Sequence, residues 1–218
     1  MDRRLHVLLV ALLAVAGPAG AQGSFEGAVT YQLTGSTGKP ITMVYQTKGT
    51  KVRMDIGGGD GMDASQPALI YDQTSRMVMA MVVSAHMYVA TSLDSLAKSS
   101  EQTKPTVKAT GTHETIAGIA CDNYLVTNGD HQGTVCAAHG MGNFFLPRQG
   151  AGMGFETVTL ANGFFPLKVS SVHAGQSSVD MVATRVERRA VDPSVFVVPA
   201  DYKQLDAKAV GITPDQRQ

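Results

Sequence analysis

From Phe25 onward the chain alternates. Phe25, Val29, Tyr31 and Leu33 are interleaved with Glu26, Ala28, Thr30 and Gln32, a period of two that predicts a strand with one buried face. Ile41, Met43 and Tyr45 repeat the pattern against Thr42 and Gln46. Val52, Met54 and Ile56 do so against Lys51, Arg53 and Asp55, the cleanest case in the chain. Gly35 to Lys39 and Lys48-Gly49 are the turns between them. Connections this short predict an antiparallel meander with one wet face, because parallel strands need longer crossovers.

Strands are expected next at Ala68 to Asp72, Met77 to Val83 and His86 to Ala90. The middle one is apolar on both faces and must be covered on both. Thr91 to Lys104 turns polar, with only Leu93 and Leu96 large and apolar, and reads as a linker with one helical turn. Strands resume at Val107 to Thr115, around the two cysteines, at Phe165 to His173 and at Ser178 to Arg188. The glycine-rich stretch Gly140 to Gly154 reads as loop, Phe155 to Ala161 as a short helix across the sheet, and the tail from Lys203 as polar and loose. Nine or ten strands without βαβ alternation give a mainly β fold: a single curved antiparallel sheet or half-open β-barrel with a small helical or loop lid. The second side of Met77 to Val83 is expected to lie under Leu93 to Lys98 or, preferably, Gly140 to Ala161, which supplies Phe144, Phe145, Leu146 and Phe155.

The first residues follow a different logic. Arg3 and Arg4 precede an apolar run from Leu5 to Ala16, broken only by His6, then Gly17-Pro18 and the small-x-small triplet Ala19-Gly20-Ala21. Charged start, short apolar stretch and small cleavage site are the parts of a secretory signal peptide, and the run is too short for a membrane span, which needs roughly 20 apolar residues. The expected organisation is a signal peptide over 1–21 cut after Ala21, a single β-rich domain over 22–203 and a polar tail over 204–218, in a periplasmic or secreted protein. Loss of Asp2, Arg3 and Arg4 moves the formal net charge from +0 to −1. A near-neutral surface gives no electrostatic reason to expect nucleic acid or an anionic membrane as partner, and no later stretch is apolar enough to make an integral membrane protein.

An exported chain with an even pair of cysteines, Cys121 and Cys136, is expected to hold a disulfide. They flank Asn128-Gly129, a strong hairpin signal. A two-residue turn there sets Cys121 opposite Cys136; a longer loop using Asp130 to Gly133 shifts the register and leaves them diagonal. Either way they are close.

Several phrases carry a family resemblance: Phe25-Glu26-Gly27 opening the first strand, Thr115-Ile116-Ala117-Gly118 leading to Cys121, Asp192-Pro193-Ser194-Val195-Phe196, Val198-Pro199 and Tyr202-Lys203. In this order they resemble a family of bacterial exported proteins known only as domain of unknown function 4412. The Met-rich strands around Met77 to Val89 are similar too. That family resembles in fold the LolA/LolB lipoprotein carriers, so the resemblance implies a LolA-like half-open barrel with an apolar concavity and no established activity. Cys136 departs from the pattern, standing where relatives carry an aromatic residue.

Candidate chemistry is sparse. Met43, Met54, Met77, Met79, Met81 and Met87 all fall on expected strands, and methionine lines surfaces that accept varied apolar shapes. They are the candidates for an apolar-ligand face, against ordinary core filling in a chain with no Trp. Thioethers also favour Cu(I), so Met77, Met79, Met81 and His86 admit a periplasmic copper carrier. His113, His131, His139 and His173 show no zinc spacing. Gly58-Gly59-Asp60-Gly61-Met62-Asp63 matches the opening of a calcium-binding nonapeptide, but only once, and such turns bind when stacked. No nucleophile motif is present. The sequence therefore predicts a non-enzyme without cofactor or metal, a binding or carrier protein for an apolar ligand such as a lipid or lipoprotein acyl chain. The alternative is a structural or envelope-interaction domain without ligand. An open apolar concave face would favour the carrier, a filled one the structural domain, and convergent sulfurs copper.

Overall fold

The structure is a computed structural model that describes residues 25–34, 39–57, 67–92, 105–128, 131–145, 164–173 and 176–206. Twelve strands are seen: β1 (Gly27–Thr34), β2 (Pro40–Lys48), β3 (Lys51–Gly57), β4 (Pro67–Asp72), β5 (Met77–Val82), β6 (Met87–Ser92), β7 (Thr106–Ile116), β8 (Ile119–Asn128), β9 (His131–Ala138), β10 (Phe165–His173), β11 (Gln176–Arg188) and β12 (Lys203–Leu205). All belong to one curved, unclosed sheet in the order β12-β6-β5-β4-β3-β2-β1-β11-β10-β9-β8-β7. Every neighbouring pair is antiparallel except β12 with β6. Helix is confined to two 3-10 turns among the described residues, Val83–Ala85 and Pro193–Phe196.

Two meanders, β1 to β6 and β7 to β11, meet where β1 pairs β11, Gly27 opposite Arg188. The Phe25-Glu26-Gly27 phrase has its reason there. Gly27 has φ +153°, and a Cβ at this position would run into the Glu187 carbonyl oxygen, so only glycine lets β11 approach. Glu26 receives the Val191 amide at 2.8 Å and the Lys48 ammonium at 3.0 Å. The Ala117-Gly118 turn joins β7 to β8 with φ +49° and +79°, the two positive values a tight hairpin requires.

One face carries the main core. Val29, Tyr31, Met43, Tyr45, Val52, Met54, Tyr71 and Val78 lie on it, and Met141, Phe144 and Phe145, just beyond β9, fold over it. Phe144 stacks on Tyr45 with centroids 4.7 Å apart and meets Tyr31 and Phe165 edge-on; Phe145 stacks on Tyr71 at 3.5 Å. The buried Tyr31 hydroxyl donates to the Pro166 carbonyl at 2.8 Å, and the Tyr45 hydroxyl oxygen accepts the Phe145 amide at 3.0 Å. Burial pushes both phenols upward and keeps them neutral. The expected covering of the sheet by the Gly140 loop is present over 140–145; Leu146 to Ala161, including the expected helix, lies outside the described residues, as does Leu93 to Lys98.

On the opposite face of β4 to β6, Ala68, Ile70 and Met81 are covered by the C-terminal segment, through Val198 and Tyr202, a cover the sequence reading did not anticipate. Asp192-Pro193 starts that segment: the Asp192 carboxylate accepts the Ser194 amide at 2.9 Å, Pro193 opens the 3-10 turn, and Phe196 is buried. The tail from Lys203 is likewise not loose at its start. Lys203 donates its amide to the His86 carbonyl at 2.8 Å, and Lys203–Leu205 adds to β6 as a parallel strand. A strand added through its backbone needs no apolar alternation, so the polar side chains concealed it.

The disulfide forms, Cys121 to Cys136, with Cα atoms 5.4 Å apart. Asn128 pairs with His131 and Asn123 with Cys136, so the cysteines are diagonal, as expected of the longer loop, although only two residues separate the paired strands. Residues 1–24, with the expected signal peptide, and 207–218 lie outside the described residues.

Candidate functional site

The six methionines do not converge. Met43 and Met54 are fully buried on the main core face. Met87 pairs with Val82 and so shares that side of β5 with Val78. Met77, Met79 and Met81 alternate onto the opposite side, where Met81 is buried and Met79, Val198 and Tyr202 pack against its cluster. Period two correctly predicts that Met77, Met79 and Met81 share a face, but Met54 and Met79 face away from each other. Among the described residues these methionines do not share one face, and the face carrying Met43 and Met54 is filled by Phe144, Phe145 and Met141. His86, the fourth member of the copper set, pairs through Nδ1 with Asp201 at 2.6 Å and stacks on Tyr202.

An open, largely apolar space lies elsewhere. A cleft of about 550 Å³ runs between the C-terminal end of β1 and the far meander, lined by Gln32, Leu33, Thr34 and Pro40 on one side and Ile116, Lys168, Val179 and Val182 on the other. Two register shifts lie beside it. β1 slips against β11 between Thr30 and Tyr31, and β10 slips against β11 between Val169 and Ser170. Such bulges sharpen local twist and re-aim side chains. Val179 is left 44% exposed at the mouth, and Thr34 Oγ1 donates to its carbonyl at 2.6 Å. Five of the eight lining residues are apolar. Among the described lining residues Lys168 is the sole charged one, and its Nζ lies 2.9 Å from Glu114 Oε2. The Lys168 bond holds the Glu114 carboxyl below the usual carboxylate range.

A second polar cluster sits at the other meander's edge. Asp122 on β8 accepts His113 Nδ1 at 2.6 Å through one oxygen and His139 Nε2 at 2.9 Å through the other. The His139 ring also meets Phe164 edge-on, and Phe164 lies against Tyr124. The two nitrogens meet different oxygens, and no group of three His, Cys, Asp or Glu among the described residues is placed to hold a metal ion. The sequence scattered these histidines along the chain; only the three-strand register of β7, β8 and the end of β9 unites them. The bonds from His113 first, then His139, lower the Asp122 pKa. A carboxyl lowered by folding adds stability above its unfolded value of about 3.9 and loses it as pH falls through the folded value. Asp122→Asn should therefore lower the urea midpoint at about pH 5, with the deficit shrinking as pH falls below the unfolded carboxylate value of about 3.9; a deficit that stays constant as pH falls would disprove the linkage. The side chains of His131 and His173, and the Gly58 to Asp63 loop, lie outside the described residues.

The architecture is that of an all-β protein built on one large, curved, unclosed sheet, and its recurring phrases serve as glycine contact, tight turn and cap. The chain belongs to the family described as domain of unknown function (DUF4412), which matches residues 25–202. No curated protein matches it in sequence. Among solved structures it is similar to an uncharacterized conserved protein from Thermus thermophilus, with a TM-score of 0.52 and 8% identity over 84% of this chain and 91% of that one. That likeness shows the fold alone. A structure described as PNGF-II aligns with a TM-score of 0.49 and 16% identity over 84% of this chain but 31% of that one. Among the described residues no helix is long and apolar enough to cross a membrane.

Proposed function

We propose that this is an exported, non-catalytic binding protein for a small apolar ligand, and that the ligand occupies the cleft between β1 and β7/β10/β11. The cleft carries the reading: about 550 Å³ in volume, it falls within the 300–1,000 Å³ range of ligand sites, which are mostly apolar with a few polar groups that fix orientation. The disulfide and the charged, apolar, small-residue order of Arg3 to Ala21 support export to the periplasm or beyond. The filled face over Met43 and Met54 supports the second reading, a structural envelope domain without ligand.

Titration with Nile red, an uncharged environment-sensitive dye, separates the two. Saturable enhancement is expected for the wild type, and Val179→Trp, which fills the exposed mouth, should weaken it at least about tenfold with unchanged circular dichroism. A wild type showing no saturable signal below the dye's solubility limit leaves the structural reading.

A further inference from the structure

We propose that the ligand of this cleft is an anionic amphiphile, a chain with a carboxylate head, and that Lys168 is the residue that selects the head. The inference rests on the cleft being the ligand site and goes beyond it by naming the ligand's chemistry.

The first observation is which half of the ion pair the cleft sees. Lys168 lines it and Glu114 does not. Lys168 sits on β10, paired with Val182 of β11 on one side and Cys136 of β9 on the other, while Glu114 reaches it from β7, at the edge of the sheet. Lys168 is among the described lining residues, and Glu114, its partner at 2.9 Å, is not.

The second is donor capacity. A lysine ammonium has three donors and no acceptor, and the contact with Glu114 Oε2 uses one. Its side chain is 29% exposed, and the ammonium has two further hydrogens to offer a ligand. Gln32 adds an amide; Thr34 already spends its hydroxyl proton on the Val179 carbonyl. No acidic side chain is among the described lining residues.

The third is the distribution of polarity. Leu33, Pro40, Ile116, Val179 and Val182 offer hydrocarbon, and one cation stands among them. A wholly apolar ligand would leave that ammonium with poorer hydration and no new partner, a cost in desolvation. A cationic ligand would meet like charge. A carboxylate forms a charge-assisted hydrogen bond while its chain takes the apolar wall. One lysine, with no arginine beside it, suits a singly charged head better than a phosphate, whose recognition favours a bidentate guanidinium fork.

Glu114 then has a definite role. By holding Lys168 it keeps the cation in place when the cleft is empty, and it competes with the incoming head. Removing its charge should strengthen anion binding.

The test displaces Nile red from the full mature chain with dodecanoate and, separately, dodecanol. Dodecanoate is expected to bind at least about tenfold more tightly than dodecanol, with the preference shrinking as salt rises. Lys168→Met should abolish the preference and leave dodecanol unchanged. Lys168→Arg should keep it, which guards against a folding artefact, and Glu114→Gln should enlarge it. Equal displacement by the two ligands overturns the anionic head while the apolar cleft stands. Dye binding that neither ligand displaces also overturns the inference, and absence of dye binding removes both it and the reading beneath it.

Discussion

Phe144→Ala should destabilise the protein by about 3–5 kcal/mol, the usual cost of truncating a buried phenylalanine. Three rings surround this side chain. Tyr45 stacks on it at 4.7 Å, and Phe165 and Tyr31 meet its edges at 5.3 and 5.9 Å. Aromatic pairs of this geometry add about 0.5–1.5 kcal/mol beyond area burial. The change would also leave a cavity above the Tyr45 hydroxyl, whose partner is the Phe145 amide, so water entry would loosen the neighbouring stack on Tyr71. Urea unfolding followed by circular dichroism measures the loss. A change below about 1 kcal/mol, typical of surface positions, would mean that residues 140–145 do not seal the core in solution.

Opening the Cys121–Cys136 bridge should cost about 3 kcal/mol, the chain-entropy value for a closed loop of about 15 residues, matching the sequence separation of 15. Both half-cystines are buried, so a mild reductant should act slowly on the native chain and rapidly once denaturant is present. Thiol titration of the unfolded, unreduced protein should detect no free thiol. Two titrating thiols would show that the bridge does not form, and an unchanged urea midpoint after reduction would show that it adds nothing.

The strands were legible because one face of each is buried, and burial writes a period of two into the residues: Lys51 to Ile56 reads almost as it folds, β3 at Lys51–Gly57. Both-sided apolarity correctly marked Met77 to Val83 as doubly covered. What covers it was not legible. Val198 and Tyr202 reach it because the Tyr202 amide closes a turn onto the Pro199 carbonyl, a backbone event without periodicity. The hairpin register depended on which residues beside Gly129 formed the turn, and glycine tolerates either placement. The methionines misled for a related reason. Period two orders side chains within a strand, but which side of the sheet Met79 shares with Met54 depends on pairing through β4, where Met54 meets Leu69 and Met79 meets Ile70, its neighbour on the other face. The cleft was invisible for a stronger reason: its lining comes from strands distant in sequence, beside two slipped registers along β11, and a bulge leaves little trace in one sequence. Lys168 looked like any solvent-facing strand residue until Glu114 and Ile116 were brought around it.

The strand order also governs when this molecule can assemble. Each meander closes through neighbours in sequence, so its pairings form across short loops. The joint between them does not: Gly27 must find Arg188, and Leu33 must find Met181. Closing so long a loop is entropically costly, and folds dominated by distant pairings form slowly. A nascent chain that has not yet released Gln176–Arg188 therefore holds β1 as an unpaired edge, its backbone donors open to any passing strand. The first ordered strand to be made is among the last to be satisfied, and the sheet becomes whole only when its final strands arrive.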